Sequence, residues 1–214
     1  MRKAVLLWLA LTPSALASGQ SIYLRDTTTE AGLSKPLTYS TVDAQKYILE
    51  TTGTGVAVFD YDRDNRPDIF LVNGTRLDTP SEKIPGNLLY RNVGDGKFQN
   101  VTSSSGLGKS GWGQGVCIGD VDNDGWTDLF VTYYGKNSLY RNRGNGTFED
   151  ISEAAGLVDS PRWNAGCTFI DYDRDGNLDL FVANYVDFED AVKHEPGSGP
   201  NCMWRGMAVM CGPR

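Results

Sequence analysis

The chain has 214 residues, 40% of them hydrophobic, with a formal net charge of −7 and a sequence pI of about 4.7. That length suits one large or two small domains with an ordinary core. The acidic balance argues against a nucleic-acid-binding surface, and beyond the N-terminus no segment approaches the roughly 20 apolar residues that span a bilayer.

The N-terminus reads as a secretory signal peptide over residues 1–17. Arg2 and Lys3 give a basic start, Ala4 to Leu11 a short apolar run, and Ala15-Leu16-Ala17 a small-x-small cleavage site. The apolar run is too short for a membrane anchor. The mature chain, 18–214, is expected to be exported: secreted, periplasmic or at the cell surface. "YLRDTTTEAGL" (23–33) resembles the later "FEDISEAAGL". It is expected to be the last strand and exit of a repeat, able to complete a final blade.

Three acidic stretches then organise the chain: "DYDRDNRPD" (60–68), "DVDNDGWTD" (120–128) and "DYDRDGNLD" (171–179). Before them stand "GVAVF", "GVCIG" and "GCTFI", and after them "IFLVNG", "LFVTYYG" and "LFVANY". Each unit reads as strand, nine-residue loop, strand. A second motif follows the first two: "NLLYRNVGDGKFQNVTSSSGL" (87–107) matches "NSLYRNRGNGTFEDISEAAGL" (137–157). Asp95-Gly96 and Asn145-Gly146 are dipeptides of tight hairpin turns. Two hairpins per unit give four short antiparallel strands, the content of a β-propeller blade. The expected fold is all-β: two full blades and the first hairpin of a third, followed by a surface insert over about 186–214. Propellers typically have four to eight blades, so the ring is incomplete and the chain reads as an N-terminal fragment of a longer protein.

Crowded aspartates repel unless a cation holds them. Positions one, three, five and nine of each loop offer carboxylates: Asp60, Asp62, Asp64 and Asp68; Asp120, Asp122, Asp124 and Asp128; Asp171, Asp173, Asp175 and Asp179. Position seven (Arg66, Trp126, Asn177) is expected to offer a backbone carbonyl. Position six needs a sharp turn, supplied by Gly125 and Gly176, with Asn65 as the next-best residue. Such a set of hard oxygens suits Ca²⁺, which takes about six to eight oxygen ligands in irregular geometry. The loops hold 12 of the 27 acidic residues, leaving 15 against 20 Lys and Arg, so three bound Ca²⁺ would bring −7 to −1. EF-hands are excluded, because position twelve is Leu71, Val131 or Val182 rather than Glu.

In an exported protein cysteines read as disulfide formers. Cys202 and Cys211 flank "MWRGMAVM" and are expected to pair. A metal or redox site with His194 is the weaker alternative, since no CxxC is present. Cys117 and Cys167 stand three and four residues before the first Asp of their loops. Period-two alternation sends them to opposite faces, so they are expected to be two buried thiols rather than a pair.

The run "GVAVFDYDRDNRPDIFLVNG" resembles the FG-GAP/VCBS repeats of integrin α-like propellers. "LYRN-x-G-x-G-x-F" and "C…WRGMAVMCGP" resemble, more narrowly, the ASPIC/UnbV, cartilage-acidic-protein-like family. The resemblance implies Ca²⁺ loops that stabilise blades, and roles in adhesion and extracellular binding to a glycan or protein ligand. No catalytic set is evident: His194 is the single histidine and sits in a polar insert, and "GWGQG" (111–115) leads into a strand rather than a phosphate-binding helix. The expectation is a non-enzymatic binding module. The alternative is part of a propeller-scaffold enzyme, for example a polysaccharide-active one, with its catalytic site outside this chain. Trp112, Trp126, Tyr133, Tyr134 and Trp163 are expected to be packing residues rather than a sugar platform. Asn73, Asn100 and Asn145 form N-x-Thr sequons.

Overall fold

The computed structural model describes residues 23–40, 48–76, 79–80, 83–157, 162–185 and 203–208. The expected signal peptide, His194, Cys202, Cys211 and most of the 186–214 insert lie outside the described residues.

β-Branched and aromatic runs form strands, and the Asp- and Gly-rich stretches between them turn the chain back. The first sheet is β1 (Val56–Phe59), β2 (Asp68–Leu71), β3 (Leu88–Gly94) and β4 (Lys97–Asn100), antiparallel and in that order. A four-residue helix, α1 (Thr102–Ser105), leads out of it. The second four strands repeat the plan: β5 (Trp112–Gly119), β6 (Asp128–Gly135), β7 (Ser138–Asn142) and β8 (Phe148–Asp150). The third acidic loop joins β9 (Arg162–Ile170) to β10 (Asp179–Asn184). A short hairpin, β11 (Met203–Trp204) with β12 (Met207–Ala208), completes the described residues. The all-β, blade-like architecture read from the repeats is what the chain adopts.

Two expectations need correction. Residues 23–27 form no strand; a turn over 28–32 docks on β4 instead, where the Phe98 amide donates to the Ala31 carbonyl at 2.8 Å. The turn over 28–32 meets the outer edge of β4 through this bond, so residues 23–27 add no strand to the sheet. The two small turns also differ. Asp95 and Gly96 both take positive φ, as a two-residue turn requires. Asn145 does not: its Oδ1 accepts from the Thr147 amide at 3.1 Å, and the Arg143 amide donates to the Thr147 carbonyl at 2.9 Å. The result is a five-residue loop.

The sheets stack face to face. Ala57, Phe59, Phe70 and Val72 of the first blade meet Leu129, Val131 and Tyr133 of the second in one apolar cluster. The alternate face of β6 carries Phe130, also fully buried, on the side of β9 and β10. β6 is therefore covered on both faces, which explains its continuous "LFV" run. Trp112, Trp163, Leu49 and Tyr134 form a second cluster, so four of the five aromatics singled out above are packing residues. Asn73 is buried, with Nδ2 donating to the Pro85 carbonyl at 2.7 Å, so its sequon is closed in the folded chain. No helix among the described residues is long and apolar enough to cross a membrane.

Candidate metal centre

All three acidic loops have one design, because all three hairpins share one register: Phe59 pairs with Asp68, Gly119 with Asp128 and Ile170 with Asp179. The position-one carboxylate binds the far side of its own loop. Asp60, Asp120 and Asp171 accept the position-five amide at 3.0, 3.0 and 3.1 Å. Their second oxygens accept the position-six amide at 2.7, 2.8 and 3.1 Å. The position-nine carboxylate reaches back to the position-two amide, from Tyr61, Val121 and Tyr172 at 3.1, 2.9 and 2.9 Å. Position six has positive φ in each loop, at Asn65, Gly125 and Gly176, as expected. Position four does too, at Arg63, Asn123 and Arg174, which sequence reasoning did not foresee.

This folding draws positions one, three and nine together. Asp60, Asp62 and Asp68 each present an oxygen, all within 4.8 Å of one another; so do Asp120, Asp122 and Asp128, and Asp171, Asp173 and Asp179. Position five falls outside these groups. Asp64, Asp124 and Asp175 each turn one oxygen to the amide of position seven, at 3.0, 2.8 and 2.8 Å. The backbone of Arg66, Trp126 and Asn177 thus bonds through its amide to position five.

The donor set fits a hard cation. Asp68 and Asp128 are fully buried carboxylates. Burial raises the Asp68 carboxyl above its ordinary value and pushes that of Asp128 up to about 6. Neighbouring aspartates add to both shifts, while backbone hydrogen bonds oppose them. A bound cation would reverse that penalty. Asp62 Oδ1 is buried without a hydrogen-bond partner, again a group that suits an ion.

Residues outside the loops complete two of the sites. The Asn92 and Asn142 amides each donate to the second oxygen of Asp68 and Asp128 at 2.7 Å. Their side-chain amides donate to the Pro67 and Thr127 carbonyls at 3.0 and 3.2 Å. Arg91 pairs with Asp62 at 2.6 Å and with Asp64 at 3.1 Å, and Arg141 approaches Asp122 at 3.7 Å. Burial works against Asp64, yet the Arg66 amide and the Arg66 and Arg91 guanidiniums hold its carboxyl below the ordinary value. The signal for these residues lay in "LYRN", a polar pair repeating in step with the loops.

Position four of one loop also reaches the next loop. The Arg63 guanidinium lies 4.5 Å from the Trp126 ring, and Asn123 Nδ2 donates to the Gly176 carbonyl and to Asn177 Oδ1, both at 3.3 Å. Trp126 is thus a contact between loops.

A family model described as an FG-GAP-like repeat matches residues 78–131 and again 120–182. Residues 78–182 thus match two FG-GAP-like repeats. The matches include the second and third loops; the 60–68 loop lies outside them, although its geometry is the same. The repeats and the stacked antiparallel sheets together identify incomplete β-propeller blades. A search of curated proteins finds no match.

Proposed function

We propose that the chain is an exported, Ca²⁺-stabilised propeller module that binds an extracellular glycan or protein and catalyses no reaction. The convergence of three carboxylates in each of three loops, with Asp68 and Asp128 buried, carries this reading. Several carboxylates in an irregular site favour Ca²⁺ over Mg²⁺, which demands near-ideal octahedral geometry and keeps its waters. The leader-like residues 1–17 support export, and the "LYRN" and "WRGMAVMCGP" motifs support the ASPIC/UnbV-like assignment and a longer parent protein. The FG-GAP-like repeats favour binding or adhesion over catalysis.

The test is a thermal scan of the purified chain in Ca²⁺, in Mg²⁺ and after chelation. An ion bound by the folded state alone stabilises it by RT ln(1 + [L]/Kd), so Tm should rise with Ca²⁺ concentration and more weakly with Mg²⁺. An unchanged Tm across all three conditions refutes the Ca²⁺ reading.

A further inference from the structure

Cys117 and Cys167 were expected to point away from each other, and the stacking of the blades brings them together. Small residues on the same face of β5 set how closely β9 approaches. A Cβ added at Gly115 would lie 2.6 Å from the Ala165 carbonyl oxygen, and one at Gly119 would lie 2.9 Å from the Phe169 ring. Gly115 thus faces Ala165, and Gly119 faces Phe169. Alternation along both strands puts Cys117 opposite Cys167, midway between these two contacts. Thr132 ties the strands at one end: its Oγ1 accepts from the Gly115 amide at 2.8 Å and donates to the Ala165 carbonyl at 2.5 Å. The Cys167 thiol lies 3.8 Å from the carbonyl oxygen of Phe130, the cross-strand partner of Cys117. Both thiols are free and half-buried. At the preceding interface the equivalent positions are Ala57 and Val116, which contribute only apolar packing.

We propose that Cys117 and Cys167 form a disulfide that staples the second blade to the third hairpin. One thiolate attacks a low-molecular-weight disulfide, RS–SR, giving a mixed disulfide and releasing RS⁻. The second thiolate attacks the cysteine sulfur of that mixed disulfide and expels the other RS⁻. Two protein thiols are oxidised, one external disulfide is reduced, and the two protons leave on two RSH. The adjacent Cys167 sulfur and burial raise the Cys117 thiol above its ordinary value. Thiolate at Cys117 is therefore scarce near neutrality, and the exchange should run faster as pH rises.

The experiment incubates the full chain with oxidised glutathione, blocks free thiols with N-ethylmaleimide, and digests with trypsin without reductant. Peptides 110–136 and 163–174, which carry the two cysteines, should run as one cross-linked species that dithiothreitol splits. Tm should rise on oxidation and return on reduction. Cys117→Ala and Cys167→Val, the residues of the preceding interface, should each abolish the cross-link while the protein stays folded; Cys202→Ser should leave it intact. Recovery of both peptides carrying N-ethylmaleimide, each carrying glutathione alone, or either linked to a peptide containing Cys202 or Cys211, overturns the proposal.

Discussion

The first and third acidic loops carry the same four aspartates at the same spacing and fold through the same internal bonds, yet they sit in different surroundings. Asp68 is fully buried and its second oxygen is capped by the Asn92 amide, while Arg91 lies on Asp62. Asp179 is exposed, and among the described residues no hairpin amide caps it and no arginine pairs with its loop. The strands behind the loops differ likewise: Phe70 and Phe130 are fully buried, whereas Phe181, at the equivalent place, is 63% exposed. Loop conformation is thus a local property, and the electrostatics of each site belong to its neighbours.

Substitutions can break this contrast at its strongest point. Phe130→Ala should cost about 3–5 kcal/mol and Phe181→Ala no more than about 1 kcal/mol, measured by denaturant unfolding. Equal costs would mean that Phe181 is as well packed as Phe130 in solution. Next in size is position nine. Asp128→Ala orphans the Val121 and Asn142 amides and should destabilise the chain by about 2–4 kcal/mol, against roughly half that for Asp179→Ala, which orphans the Tyr172 amide alone.

Smaller effects sharpen the comparison. Arg91 supplies positive charge where a cation would sit, so Arg91→Ala should tighten Ca²⁺ binding by the first loop by at most about fivefold, the scale of an exposed ion pair. Calorimetric titration reads this directly, and weaker binding would make Arg91 a support for the site rather than a competitor. The pH dependence has a definite sign. Without metal, burial raises the Asp128 carboxyl from 3.8 to about 6, so the folded chain holds a proton that the unfolded chain has lost. Stability should rise as pH falls through that window, by at most about 3 kcal/mol. With saturating Ca²⁺ the trend should invert, because protons then compete with the ion. Urea unfolding on either side of pH 6, with chelator and with Ca²⁺, compares the two slopes.

Much of the site was legible because the loop is short and its bonds are local. Asp spacing and the Gly or Asn at position six specify the turn, and the hairpin register follows from the alternation on either side. Position five stands apart from the three converging carboxylates because its carboxylate has a nearer partner, the amide two residues on, which forms an Asx turn. Arg91, Asn92, Arg141 and Asn142 were missed because they act from a different hairpin.

The cysteines mark the boundary most clearly. Alternation does send Cys117 and Cys167 to opposite faces of their own repeats. In a stack of blades, however, one face of each repeat meets the opposite face of the next, so opposite becomes adjacent. The sequence by itself determined the strands, the loops and their repetition, since these depend on residues within about ten positions of one another. Tertiary structure alone decided which carboxylates are buried, which arginines reach them and which thiols meet. Those properties arise where separate repeats pack, and no local pattern encodes the surface on the other side.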